Sequence, residues 1–487
     1  MSEPQTTEGQ RRGLPRIQVI GLILGAACLL MSWAVPAPAT MGAEAWSALG
    51  LMLLMAVWWS TEAIPIPATA LLPIVLIPAL GLGSVSQATA AYAHPVIFLF
   101  LGGFTLGLAM QRWNLHRRIA LLTLKMVGTN PKRQIAGFMI ATAFLSMWVS
   151  NTATAIMMLP IGLSVVAMME GADPDSVKRY AISLLLAIAY SASLGGIATL
   201  IGTPPNALLA AYLSESQGVE VGFAQWMLLG VPVSGIMLTL AWWRLTRQDF
   251  GIIESEESGR VVADELARLG PMSRGEKLVT LVFVLTAGAW VFRPLLSASL
   301  MPWLSDTGVA ITAAIAMFLI PVHTNERLFL LDWESASRLP WGVLLLFGGG
   351  LAMAGAIGSS GLADWIAQAL SVVGSLPLLA VMALATAAVI YLTEVTSNTA
   401  TAAAFLPLLG ALAVSQGLSP LLLTVPAAIV ASCAFMMPVA TPPNAIVFSS
   451  GHLRVSDMIR AGFPLSLAGI VVVTLVSYAL VGAVFSL

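Results

Sequence analysis

Apolar residues run in long blocks along this chain, and polar positions are confined to short gaps between them. Blocks of spanning length cover 16–35, 46–60, 64–82, 92–110, 178–211, 223–243, 278–294, 307–322, 340–358, 420–450 and 462–485, giving 11 candidate transmembrane helices. Two further apolar regions, 134–170 and 376–415, are too long for one span, and polar residues interrupt each near its midpoint. A helix, a break and a second helix returning to the same side fit these regions best, so each is predicted to be a re-entrant hairpin. The predicted fold is an all-α polytopic membrane protein.

The same string interrupts both regions. Ser150-Asn151-Thr152-Ala153-Thr154-Ala155 returns letter for letter as Ser397-Asn398-Thr399-Ala400-Thr401-Ala402, 247 positions later. A second phrase follows each copy: Thr203-Pro204-Pro205-Asn206-Ala207, then Thr441-Pro442-Pro443-Asn444-Ala445. Asn, Ser and Thr compete with helical hydrogen bonds, and Pro removes a donor outright. In lipid such backbone survives only where protein or a water-filled cavity covers it. Matched interruptions in two halves of a membrane protein point to a transporter's binding site.

Charge gives the layout a direction. With the N-terminus in the cytoplasm and both broken regions re-entrant, 21 of the 22 basic residues fall on the cytoplasmic side and only Arg293 lies outside. Full crossing by either broken region would destroy that partition. Lys132, Arg133, Lys178 and Arg179 flank the first hairpin, which therefore enters from the cytoplasm. The second hairpin has no basic flank and enters from outside. Two similar units facing opposite ways form an inverted repeat. Pro95 to Gly103 echoes Pro340 to Gly349, and Ala68 to Pro78 aligns loosely with Ile311 to Pro321.

The predicted organisation is a cytoplasmic tail over 1–15, a first transmembrane helix over 16–45, a first repeat over 46–243, a cytoplasmic linker over 244–277 and a second repeat over 278–487. The first apolar run resembles a signal peptide, but its length and the many spans after it favour a first transmembrane helix. Gln111 to Gly128 reads as a basic interfacial helix, with Gly361 to Val373 at the corresponding place in the second half. The mixed-charge stretch from Asp249 to Lys277 reads as a solvated linker.

Composition supports a membrane location: 58% of residues are hydrophobic and 9% charged, against about 25% charged in soluble domains. A net charge of -1 gives no reason to expect nucleic acid as a partner. Cys28 and Cys433 are too far apart for metal spacing and read as buried bystanders. The 14 tryptophans mostly read as interfacial anchors. No HExxH, phosphate-cradling loop or Ser/His/Asp arrangement occurs, so neither an enzyme nor an organic cofactor is expected.

A hairpin tip and a broken helix each free backbone groups. Helix N-termini suit anions, and freed carbonyls with Ser, Thr and Asn oxygens suit a hard cation such as sodium. Both repeats supply both kinds of group, so a central anion site flanked by two cation sites is expected. The competing structural reading makes the two motifs polar seams between helices. Glu394, three residues before Ser397, is ionisable at membrane depth; it is either a functional acid or a paired structural one.

At these motifs the chain resembles the divalent anion/sodium symporter family, whose members carry dicarboxylates, citrate or sulfate. The resemblance implies an elevator-type homodimer in which a scaffold domain holds a moving transport domain. Carried over, it implies a first sodium site from Ser146, Ser150, Asn151 and the Gly202 carbonyl. A second would use Thr393, the Thr396 carbonyl, Asn398 and the Ala440 carbonyl. Carboxylates would meet Asn151, Thr152, Asn398 and Thr399, with Thr203, Pro204, Thr441 and Pro442 closing the site. The expected function is sodium-coupled symport of C4-dicarboxylates across the plasma membrane of a cell, with the C-terminus outside. Three alternatives stay open: a sodium-independent dicarboxylate exchanger, a sulfate or citrate symporter, and a proton-coupled antiporter using Glu394.

Overall fold

The computed structural model describes residues 15–169, 173–251, 256–299, 301–323, 327–369 and 376–485. Among these, nine helices are long and apolar enough to cross a membrane, and several shorter apolar helices accompany them. The described fold is helical apart from a two-stranded ribbon, Pro321–His323 against Leu328–Phe329. The predicted tail, except Pro15, and residues 370–373 of the second amphipathic segment lie outside the described residues.

Both predicted hairpins are present. Helix Pro131–Ser146 is followed by a four-residue break and helix Asn151–Ala167, and the two arms touch. Helix Leu378–Thr393, a second four-residue break and helix Asn398–Ser415 repeat the pattern. In each case the Ser of Ser-Asn-Thr is the N-cap and the Asn is the first helical residue. A short polar side chain at the cap competes with the preceding helix and starts the next.

Three predicted spans are not continuous. The stretch 64–82 splits into Ile66–Thr69 and Leu72–Ala79, with Pro65 and Pro73 at helix starts, where a missing N–H costs nothing. The stretch 178–211 divides into Pro174–Ile197 and Pro204–Gln217, and 420–450 into Leu421–Ala431 and Pro442–Ser449. Both of these breaks end at Thr-Pro-Pro-Asn. The predicted first transmembrane element, 16–45, forms a helix over Arg16–Ala34, and its last three residues begin the next helix, Ala43–Thr61.

The two halves interlock reciprocally. The second arm of the first hairpin packs on Pro442–Ser449, and the second arm of the other hairpin packs on Pro204–Gln217. Farther out, helix Pro95–Arg112 lies against Asp306–Leu319, while Trp341–Ser359 lies against Ile66–Thr69 and Leu72–Ala79. These crossings are very close. A Cβ on Gly102 would stand 2.5 Å from the Ala310 carbonyl, and one on Gly349 would stand 2.4 Å from that of Ala70. Such mutual contacts are what a two-fold relation between repeats produces. At the centre, 94% of the best window of Pro174–Ile197 is buried, against 17% for Arg16–Ala34 at the periphery.

The linker departs from its predicted solvated form. Helix Glu256–Leu269 packs on the amphipathic helix Leu115–Val127 and on the second arm of the first hairpin. Arg117 pairs with Glu265, and buried Arg118 reaches Glu276 at 2.7 Å and the Gly270 carbonyl at 2.9 Å. An apolar stripe that includes Val262, 7% exposed, gives this helix a face to bury.

Several tryptophans are not interfacial either. Trp59, Trp226 and Trp290 are fully buried, and each indole N–H finds a backbone carbonyl. Trp148, in the first hairpin's break, stacks with Trp290 at 6.4 Å and meets Phe283 edge-on at 5.1 Å. Cys433 is buried as predicted, whereas Cys28 is half-buried.

Candidate functional site

Four backbone interruptions, two hairpin breaks and two broken helices, come together where the halves interlock. The Thr203 hydroxyl lies 3.2 Å from the Ser432 hydroxyl, and the Tyr190 hydroxyl donates to the Phe435 carbonyl at 3.0 Å. Each bond joins one repeat to the other.

In the first repeat, Ser146 ends the entry helix and is fully buried. Its Oγ is 2.6 Å from the Ala192 carbonyl and 2.6 Å from the Asn151 amide. The same amide atom is 3.1 Å from the carbonyls of Gly202 and Ala192. With nitrogen there, the amide donates to these oxygens and closes the cluster by itself. With oxygen there, four oxygens converge around one hydroxyl proton. Only a cation balances the second arrangement, and a hard monovalent ion suits a ring of neutral oxygens.

The second repeat reproduces this. Thr393 is fully buried, and its Oγ1 lies 2.8 Å from Asn398 Oδ1 and 3.0 Å from the Ala431 carbonyl. One hydroxyl proton again faces two acceptors. The donor set of the second cluster therefore fits sodium, and that of the first fits it with the Asn151 amide oxygen turned inward.

Other expected ligands are placed differently. Ser150 Oγ accepts from the Ala153 N–H at 3.3 Å and serves as a helix cap. The Thr396 hydroxyl turns to Thr401 Oγ1 at 2.6 Å and to the Leu392 carbonyl at 2.9 Å, leaving only its carbonyl for any ion. Thr441 Oγ1 accepts from the Asn444 N–H at 3.2 Å, whereas Thr203 reaches across to Ser432. Asn151, Thr152, Asn398, Thr399 and Pro204 are half-buried, and Pro442 is exposed. Ala440 is buried beside Thr441. The expected solute-contacting residues of the two tips are thus less enclosed than Ser146 and Thr393.

Sequence reading missed the residues that hold the breaks in shape. Ala192 and Ala431 contribute carbonyls, which no side-chain pattern reveals. Asn206 Nδ2 donates to the carbonyls of Gly196, Ile197 and Thr199, at 3.2, 3.4 and 2.8 Å. Trp226 Nε1 donates to Ile197 at 2.9 Å, and the Thr199 hydroxyl donates to the Met147 carbonyl at 2.6 Å. The available signal was the Asn closing each Thr-Pro-Pro-Asn.

Glu394 is 2% exposed and fully engaged. Its carboxylate accepts from the backbone N–H groups of Phe435, Met436 and Met437 at 2.8, 2.9 and 3.1 Å, and from Ser466 Oγ at 3.3 Å. It braces the unwound backbone after Leu421–Ala431. The corresponding position of the first repeat is Met147.

The chain is similar to known proteins over nearly its whole length. A family model described as the sodium:sulfate symporter transmembrane region matches residues 17–487. The sodium-dependent dicarboxylate transporter SdcS of Staphylococcus saprophyticus is 41% identical over 485 residues, covering 96% of this chain and 92% of that protein. SdcS of Staphylococcus aureus is 41% identical over 476 residues, covering 95% and 91%. Among solved structures, the Alcanivorax borkumensis YdaH transporter superposes with a TM-score of 0.58 at 14% identity, over 96% of this chain and 98% of that one. That last likeness concerns the fold alone.

Proposed function

The chain belongs to the sodium:sulfate symporter family, and on that premise we propose that it is a secondary active transporter coupling sodium entry to uptake of a C4-dicarboxylate such as succinate, malate or fumarate. The observation carrying this reading is the matched cluster in each repeat: the buried hydroxyls of Ser146 and Thr393 each lie within hydrogen-bond reach of a hairpin-tip amide, Asn151 or Asn398, and of a carbonyl of the following broken helix. A sodium ion at each cluster would take the amide oxygen, the hydroxyl and the backbone carbonyls as ligands. The first site takes Ser146, Ser150 or its backbone, Asn151 and the Gly202 carbonyl. The second takes Thr393, Asn398 and the carbonyls of Thr396 and Ala440.

The solute sits between the tips, against Asn151, Thr152, Asn398 and Thr399, with Thr203, Pro204, Thr441 and Pro442 around it. Two complete Ser-Asn-Thr tips suit a solute carrying two carboxylates better than sulfate. No basic residue lies within either motif, so the bound cations supply the positive charge. Each ion relieves the cost of burying the other, which couples their binding.

Transport proceeds with the hairpins and broken helices moving as one body against the remaining helices, in a homodimer in the plasma membrane. The N-terminus is cytoplasmic and the C-terminus outside, because that layout keeps 21 of 22 basic residues inside. With its carboxylate held by backbone N–H groups, Glu394 acts as a brace and not as a proton carrier.

The test is radiolabelled succinate counterflow and uptake in proteoliposomes, with and without an inward sodium gradient. Accumulation that follows the gradient supports the symporter. Uptake that ignores sodium and requires internal dicarboxylate would overturn it in favour of an exchanger. A thermal-shift screen against succinate, malate, citrate, 2-oxoglutarate and sulfate, with sodium present, identifies the solute.

A further inference from the structure

The two Thr-Pro-Pro-Asn motifs end on asparagines that match in burial and bonding. Asn206 and Asn444 are both completely buried. Asn444 Nδ2 donates to the carbonyls of Ala434 at 3.2 Å and Met437 at 3.0 Å. Shifted by 238 positions, these are Gly196 and Thr199, two of the carbonyls that Asn206 engages. The same shift carries Gly202 onto Ala440 and Thr203 onto Thr441. In both repeats the amide oxygen, Oδ1, has no hydrogen-bond partner while buried.

The bonding has a physical purpose. A helix that stops inside protein leaves carbonyls without partners, and each buried orphan is costly. An amide one turn into the next helix reaches back and ties those carbonyls together, which fixes the path of the intervening residues. Gly202 and Ala440 lie on that path, four residues before each Asn. Their carbonyl directions follow from how the break is held. Leaving Oδ1 unpaired at both places shows that the nitrogen's bonds set the amide's orientation.

We propose that Asn206 and Asn444 are positioning residues for the two sodium ions: each amide nitrogen clamps its helix break so that the Gly202 or Ala440 carbonyl points at the cation. This rests on the sodium-coupled reading above. It differs from the ligand assignment, because neither amide is itself asked to touch the ion or the solute. Second-layer partners of this kind typically change ion affinity by about 10- to 100-fold when removed.

The test uses the full-length protein with Asn206→Asp, Asn206→Ser, Asn444→Asp and Asn444→Ser. Asp is nearly isosteric but presents oxygen where a donor is needed; Ser keeps one short donor. Half-saturating sodium is read from thermal shift with sodium chloride alone, choline chloride holding ionic strength constant. Succinate KM is read in proteoliposomes at saturating sodium. Ser477→Ala, which removes a buried unpartnered hydroxyl away from the breaks, is the control.

The Asp variants are expected to raise half-saturating sodium at least about 10-fold, the Ser variants less, while succinate KM at saturating sodium stays within about twofold. Ser477→Ala should move the melting temperature but not half-saturating sodium. Unchanged half-saturating sodium in folded Asp or Ser variants overturns the proposal. So does failure of every Asn206 and Asn444 variant to fold, which would make them residues of the fold and not of the site. Absence of any sodium-dependent shift in the parent protein is a separate result: it sinks the sodium-coupled reading itself.

Discussion

The Glu394 carboxylate accepts the Phe435 backbone N–H at 2.8 Å, so an acid on one hairpin anchors the unwound stretch of a broken helix 41 residues away. Met436 and Met437 add two further N–H donors. Charge-assisted bonds to buried groups each contribute about 1.5–3 kcal/mol. Glu394→Ala removes the acceptor from three N–H groups and is expected to lower the melting temperature sharply. Glu394→Gln, which keeps one oxygen, should lose less stability and retain sodium-driven uptake. Uptake in Glu394→Gln that has become independent of sodium, while the protein stays folded, would restore a coupling role for this acid.

The two asparagines at the hairpin tips should behave otherwise. Each completes an oxygen cluster whose other members are a buried hydroxyl and backbone carbonyls. Asn151→Ala or Asn398→Ala is expected to reduce succinate uptake at least about 100-fold, since losing a buried polar partner costs about 1–3 kcal/mol and the ion is lost with it. Expression and size-exclusion profile should stay as in the parent. If both variants aggregate instead, the motifs are polar seams that hold helices together.

The site was legible in the sequence to the extent that side-chain identity carries it. An identical hexapeptide in two apolar regions announced both hairpins, and Ser146, Asn151, Thr393 and Asn398 meet in matched pairs. What escaped were contributions made by backbone. Ala192 and Ala431 present carbonyls that any residue would present, so their positions emerge only after the helices are packed. The same holds for Trp226, which looks like an interfacial anchor until its indole is found on the Ile197 carbonyl. Charge counting assigned the linker a side but gave no hint of its docking. A mixed-charge segment looks solvated unless its partner, here Arg117 and Arg118, is known to face it.

That docking gives a third prediction. Arg118 and Glu276 are paired at 2.7 Å with side chains 9% and 5% exposed. Removing one member of a buried pair leaves an uncompensated charge and typically costs about 3–5 kcal/mol. Arg118→Met and Glu276→Leu are each expected to destabilise the protein, measured by fluorescence-detected thermal unfolding. The double variant should recover most of the loss, because two apolar side chains fill the same space without a stranded charge. A double variant as unstable as the sum of the singles would mean that the two side chains act independently and that no stranded charge causes the loss.

The Arg112–Asp332 pair answers to pH. Backbone and side-chain bonds from Ser335 and the Arg112 guanidinium hold the Asp332 carboxyl at about 2, below its ordinary 3.8. A depressed carboxyl contributes stability above pH 3.8, and that contribution disappears as pH falls through about 2. With its side chain 48% exposed, screening limits the effect to about 1 kcal/mol or less. Asp332→Asn should lose that small contribution at neutral pH, flatten the stability profile between pH 4 and 2 and match the parent below about pH 2, as read by melting temperature across buffers.

The sharpest asymmetry between the repeats is at Gly196 and Gly202, which correspond to Ala434 and Ala440. A Cβ on Gly202 would stand 2.4 Å from the Gly196 carbonyl oxygen and 2.8 Å from its Cα. A Cβ on Gly196 would meet the Asn151 amide at 2.7 Å and the Gly202 carbonyl at 2.9 Å. Backbone cannot rotate away as a side chain can, so a methyl here pushes the first break apart; overpacking of this kind costs about 1–3 kcal/mol. The second repeat holds alanine at both places, so its break already accommodates the two methyl groups. Gly202→Ala is therefore expected to weaken sodium binding at the first cluster by at least about 10-fold, whereas Ala440→Gly should leave it within about twofold. Sodium titration by thermal shift separates the two, and equal sensitivity of both positions would mean that the two breaks share one geometry.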